Sequence, residues 1–74
     1  MRSAEFRFYE ELNDFLPHER RKVSFMQTFQ GCPAMRDVIQ AIGVPHTAVD
    51  LVLVDGCSVD FAYRLQGGER VAVY

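Results

Sequence analysis

One amphipathic helix pattern, and no second, sets the main constraint on how this chain folds. Met35, Val38, Ile39 and Ile42 recur at i, i+3, i+4 and i+7, with Arg36, Asp37 and Gln40 on the opposite side. Gly43 follows where a left-handed C-terminal cap belongs, and Val44-Pro45 prevents continuation. The pattern predicts a helix over residues 33–42, with Pro33 at the first helical position, where its missing N–H has no intrahelical partner anyway. A lone helix covers one face of a sheet. The remaining chain must therefore supply a sheet with one face under the helix and the other turned to water or a partner.

The strand signals fit that requirement. Residues 4–9 alternate, with Ala4, Phe6 and Phe8 on one face and Glu5, Arg7 and Tyr9 on the other. A short helical turn is expected over 10–16, where Leu12, Phe15 and Leu16 recur at helical spacing before Pro17. The strand predicted over 23–29 keeps Val23, Phe25 and Phe29 in phase, and Gln27 interrupts the inward set, which marks an edge. After a turn at 46–50, the unbroken apolar run 51–54 reads as a central strand buried on both sides. Asp55-Gly56 is a hairpin turn dipeptide. A short strand over 57–62 carries Val59 and Phe61, and a second turn at Gln66, Gly67 and Gly68 leads to a last strand, 69–74, with Val71 and Val73 inward.

At 74 residues the chain has room for one core, and a domain of this size buries only roughly 60% of its unfolded surface. Apolar and charged fractions of 49% and 24% are those of an ordinary globular chain. The formal net charge of −2 supplies no field for nonspecific attraction to nucleic acid or membrane. No apolar run approaches the roughly 20 residues of a membrane span, and no signal-type stretch opens the chain, so a cytoplasmic protein without membrane contact is expected. Cys32 and Cys57 belong to no CxxC pair and have no histidine at zinc-ligand spacing. They read as reduced thiols, although sequence alone leaves a disulfide between them open.

Nucleophilic catalysis needs a Ser or Cys beside a His base. His18 lies in the charged loop Pro17-His-Glu-Arg-Arg-Lys and His46 in a turn, while Cys32 and His46 flank opposite ends of one helix. Asp50, Asp55 and Asp60 are the carboxylates that could form a metal set, but Asp55 is a turn residue and the other two flank strands. Glu10-Glu11 suits the first turn of a short helix. No catalytic residue, cofactor or metal site is therefore expected. Two surfaces remain. The sheet face away from the helix carries Arg7, Tyr9, Met26, Arg70 and Tyr74, residue types enriched where proteins meet. The basic run Arg20-Arg21-Lys22 is the candidate contact for RNA phosphates.

The order strand, strand, helix, strand, short strand, strand, with the ending Leu65-Gln-Gly-Gly-Glu-Arg-Val-Ala-Val, resembles the ubiquitin-like β-grasp fold. That resemblance implies an α+β domain: a mixed sheet of four to five strands, one main helix packed on one face, and the first and last strands side by side and parallel. The stretches Phe6-Arg-Phe-Tyr-Glu-Glu-Leu-Asn-Asp-Phe-Leu, Gly43-Val-Pro-His-Thr-Ala-Val-Asp-Leu and Val59-Asp-Phe-Ala-Tyr-Arg-Leu resemble the ubiquitin-like domain found in front of the Mut-seven-type C-terminal ribonuclease domain. The resemblance implies that residues 1–74 are one accessory domain of a longer protein, in a setting of RNA metabolism. Its expected partner is the adjacent PIN-like ribonuclease domain or another protein. The sulfur carriers of thiamin and molybdopterin synthesis share the fold and use a C-terminal Gly-Gly. Here Gly67-Gly68 precedes the last strand, so a carrier role would need a further tail.

Overall fold

The alternation in the first segment produces β1, Arg2–Phe8, in the computed structural model, which describes Met1–Tyr74. Ala4, Phe6 and Phe8 are buried, while Arg7 is exposed. The other elements are β2 (Phe25–Phe29), α1 (Met35–Ile42), β3 (Val52–Val54), β4 (Cys57–Val59) and β5 (Arg70–Val73). They form one five-stranded sheet in the order β2-β1-β5-β3-β4. β1 and β5 pair in parallel with Phe6 opposite Val71 and Phe8 opposite Val73, and the other three pairings are antiparallel. The first and last strands are thus central neighbours, as the resemblance implies.

α1 supplies the cover for the inner face. Met35, Val38, Ile39 and Ile42 are all buried, and they join Phe6, Phe8, Val71 and Val73 in a single core. Each large side chain removed from water here contributes roughly 1.5–3 kcal/mol. Gly43 caps α1 at φ 119°, donating its N–H to the Gln40 carbonyl while Val44 N–H reaches that of Ile39. The Asp55-Gly56 turn has positive φ at both residues, 49° and 86°, the geometry of a type I′ hairpin.

Five expectations need correction. The helix begins at Met35, with Pro33 outside it: Ala34 is extended at φ −69°, ψ 146° and bridges to Arg64, and the Pro33 carbonyl accepts the Leu65 N–H at 2.9 Å. Strand-like pairing with the segment before β5 therefore overrides the helix-start preference of proline. The run 51–54 is buried on one side only. Val52 and Val54 face in, Leu53 is half-buried and Leu51 is 40% exposed, because the sheet has no second covering layer. Its strand lies second from the edge, between β5 and β4. Val23 is exposed and precedes β2, and the short strand stops at Val59, where the Asp60 carboxylate accepts the Ala62 N–H and turns the chain. Segment 10–16 is a 3-10 helix, Glu10–Phe15, in which Leu12, Asn13 and Leu16 face in and Phe15 is left exposed. β2 is an edge strand, as Gln27 indicates.

Candidate functional site

On the outer sheet face, pairing continues beyond the regular strands. Tyr9 N–H donates to Val73 C=O at 3.0 Å, and Tyr74 N–H donates to Leu51 C=O at 2.9 Å. These bonds place the two tyrosines side by side across the parallel ladder. Their rings stack with centroids 4.4 Å apart and planes 9° from parallel, and the Arg7 guanidinium lies 5.3 Å from the Tyr9 ring. Met26 and Arg70 both pair with Glu5, one from each side, which puts them on the same face one step along β1 from Arg7. All five residues singled out from alternation therefore share the outer face, in two groups: Arg7, Tyr9 and Tyr74 in one, Met26 and Arg70 in the other. Sequence reasoning placed Glu5 on this face without singling it out, and it missed Ala72, Leu51 and Leu53, which also lie there. The two leucines were hidden by the apolar run that looked buried on both sides.

The basic run does not act as one patch. Arg20 lies over the Phe25 ring at 4.5 Å and donates to the Gln27 side chain at 3.2 Å. Arg21 and Lys22 turn the other way, into an open cleft of about 760 Å³ whose wall also holds Arg7, Tyr9 and His18. Arg21 Nε donates to the Leu16 carbonyl at 2.9 Å, leaving its terminal nitrogens free. The acids Glu10 and Asp14 line the same cleft, yet no carboxylate approaches Arg7, Arg21 or Lys22 within 4 Å; the one ion pair in the chain is Arg36–Asp37 at 3.9 Å.

Buried Asn13 holds this cleft in shape. Its Nδ2 donates to the Phe8 carbonyl at 3.1 Å and to the Glu10 carbonyl at 3.0 Å, and its Oδ1 accepts the Lys22 N–H at 2.7 Å. Glu10 and Lys22, at φ 55° and 60°, are two of the three residues other than glycine with left-handed backbone. One side-chain amide thus fixes both strained residues of the cleft. Nothing in the periodicity marks Asn13, since a polar residue in a turn is ordinary until its burial is seen.

A second polar knot locks the turn before β5. Glu69 is buried, and its carboxylate accepts the N–H groups of Gln66 at 2.7 Å and Gly67 at 2.8 Å and the Tyr63 hydroxyl at 3.1 Å. Burial alone would raise its pKa, but these donors outweigh it and hold the carboxyl below its ordinary value. Tyr63 is pushed up, by desolvation first and then by its bond to Glu69. Gly68 N–H donates to Ser3 C=O at 2.7 Å, so the diglycine is built into the sheet connection.

The remaining chemistry-bearing residues are dispersed. Cys32 and Cys57 are free thiols. Cys32 Sγ accepts from Arg2 at 3.1 Å, while His46 bonds Gln40 and packs edge-on against Phe61. Asp55 receives the Arg70 N–H at 3.0 Å, and Asp60 caps its own turn. No three His, Cys, Asp or Glu side chains come together as a metal cage, and no helix is long and apolar enough to cross a membrane.

A mixed sheet with its end strands parallel at the centre, gripping one helix, defines a ubiquitin-like β-grasp domain. The family model described as Mut7-C ubiquitin matches residues 1–74, and the chain belongs to that family. The fold is shared with solved structures of low sequence identity. A Pyrococcus furiosus protein described as molybdopterin converting factor, subunit 1, superposes with a TM-score of 0.72 at 15% identity, covering 99% of this chain and 95% of that one. SAMP1 from Haloferax volcanii gives a TM-score of 0.68 at 14% identity over 97% of this chain and 92% of its own. A second structure, of the H. volcanii small archaeal modifier protein 1, gives 0.69 at 12% identity, covering 99% and 95%. No curated protein sequence gives a significant match.

Proposed function

We propose that this chain is a noncatalytic docking module that positions a PIN-like ribonuclease domain in cytoplasmic RNA metabolism, with the outer sheet face as its contact. Membership of the Mut7-C ubiquitin family supports the reading. The observation that carries it is the composition of that face: stacked Tyr9 and Tyr74 beside Arg7, with Met26 55% exposed one row away. Rigid aromatic and arginine side chains of this kind dominate binding energy at interfaces. The test is a titration of the ribonuclease domain into the isotope-labelled chain, followed by amide shifts. Tyr9→Asp and Met26→Asp should each weaken docking at least about tenfold, since a central contact is worth more than about 1.4 kcal/mol. Unchanged docking by folded variants would place the contact elsewhere.

The fold similarity to a molybdopterin converting factor subunit and to a small archaeal modifier favours a second reading, that of a carrier or protein modifier. On that reading the working diglycine stands at the end of a longer native chain, because Gly67-Gly68 is an internal turn tied to Ser3. The mass of the mature protein decides between the two: a terminus at Gly-Gly shortly after Tyr74 supports the carrier, and a long continuation supports the docking module.

A further inference from the structure

We propose that the cleft between the end of β1 and the loop before β2 binds single-stranded nucleic acid, with the phosphates held by Arg7, Arg21 and Lys22 and a base laid against Tyr9. The inference goes beyond the docking reading and concerns the isolated chain. Three observations carry it. The three cations come from separate parts of the sequence, converge on one cleft, and have no carboxylate within 4 Å although Glu10 and Asp14 share the wall. Tyr9 is held in that wall by its main-chain bond to Val73 and is backed by Tyr74, and the Arg7 guanidinium lies over its ring at 5.3 Å, so a base takes that place as Arg7 swings onto a phosphate. Lys22 is kept at φ 60° by the Asn13 amide, a backbone state that a lysine adopts only under local constraint.

Phosphate-binding cations interleaved with an aromatic ring are the ingredients of single-strand recognition, where each base offers a π-face and each phosphate a charge. An acidic protein segment fits less well, because Phe8 and Tyr9 are the only hydrophobic residues in the wall and a protein contact of this kind needs an apolar centre. With a chain net charge of −2, attraction is local, and its salt dependence should count only the cleft cations.

The experiment follows the anisotropy of a dye-labelled oligoadenylate on addition of the chain. Three phosphate contacts on a single strand predict about a twentyfold loss of affinity between about 50 and about 200 mM salt, and Lys22→Asn should reduce that loss to about sevenfold. Asparagine tolerates left-handed backbone, so this variant removes the ammonium while keeping the fold. Tyr9→Leu, which retains an apolar side chain, should weaken binding about fivefold or more. Asp14→Asn should tighten it, and Arg36→Gln, on the exposed side of α1, should leave it unchanged. The proposal is overturned if the chain does not bind oligoadenylate at low salt, if folded Lys22→Asn and Tyr9→Leu variants bind like the parent, or if a polyglutamate peptide binds as well. Arg7 and Tyr9 belong to both surfaces, so docking to a ribonuclease domain is read in its separate titration, where Met26→Asp reports on the outer face without touching the cleft.

Discussion

Tyr9 and Tyr74, 65 positions apart in the chain, lie face to face across the β1–β5 ladder with their ring centroids 4.4 Å apart. Their meeting is a consequence of the parallel register, which sets Phe8 opposite Val73 and carries the next residue of each strand to the same end of the sheet. The pair closes the sheet at the place where the outer face and the cationic cleft adjoin. Stacked aromatic pairs contribute about 0.5–1.5 kcal/mol beyond the area they bury. A double-mutant cycle with Tyr9→Leu and Tyr74→Leu, read by urea unfolding, should return a coupling energy in that range. A coupling near zero would mean that the stack is incidental to stability.

Acid should loosen the turn before β5. The Glu69 carboxyl is held below its ordinary value of 4.5, so its contribution is fully present above that pH and is lost as pH falls through the lower folded-state value. Glu69→Gln keeps one acceptor but turns an NH₂ group either toward the Gly67 N–H or toward the Gln66 N–H and the Tyr63 hydroxyl, which bond different carboxylate oxygens in the parent. It should cost about 1–3 kcal/mol near neutral pH. The gap between parent and variant should then narrow as pH drops below about 4.5. A gap independent of pH would show that the carboxylate's charge is not what the turn uses.

Two glycines separate backbone strain from steric crowding. A Cβ on Gly43 would meet only the Phe15 carbonyl at 3.6 Å, an ordinary contact, so Gly43→Ala should cost only the strain of φ 119°, about 1–3 kcal/mol. A Cβ on Gly67 would stand 3.3 Å from Arg2 Cβ at φ 106°, adding a tight contact to the same kind of strain. Thermal unfolding of the two alanine variants should rank Gly67→Ala below Gly43→Ala, and the reverse order would mean that β1 yields easily at Arg2.

Much of the fold was legible because its signals are local and periodic. Met35, Val38, Ile39 and Ile42 mark α1 by spacing alone, and Ala4, Phe6 and Phe8 mark the inner face of β1. What failed depended on partners distant in sequence. The pairing of Pro33, Ala34 and Met35 with residues 63–65 moved the helix start, and the single covering layer exposed Leu51. The outer face was readable for the same reason as the inner one, since it is its complement. The cleft was not: nothing in the run Arg20-Arg21-Lys22 says that Arg20 turns to Phe25 while the next two residues join Arg7. That division is made by the loop conformation, and the loop is set by Asn13.

Asn13 therefore offers the sharpest test of how the loop is held. Its amide donates to the Phe8 and Glu10 carbonyls and accepts from Lys22 N–H, so Asn13→Ala leaves three backbone groups without a side-chain partner and should cost about 1–3 kcal/mol. Asn13→Asp is the more informative change. A carboxylate keeps the bond from Lys22 but presents its second oxygen to two carbonyl oxygens, where the parent has an NH₂ donor. Protonation restores a donor there, so this variant should gain stability relative to the parent as pH falls: the introduced carboxyl stabilises on protonation, whereas that of Glu69 ceases to. Urea unfolding at neutral and mildly acidic pH measures the difference. If Asn13→Asp tracks the parent at every pH, the amide nitrogen does not hold Phe8 and Glu10. The left-handed turns at Glu10 and Lys22 must then be fixed by the rest of the loop.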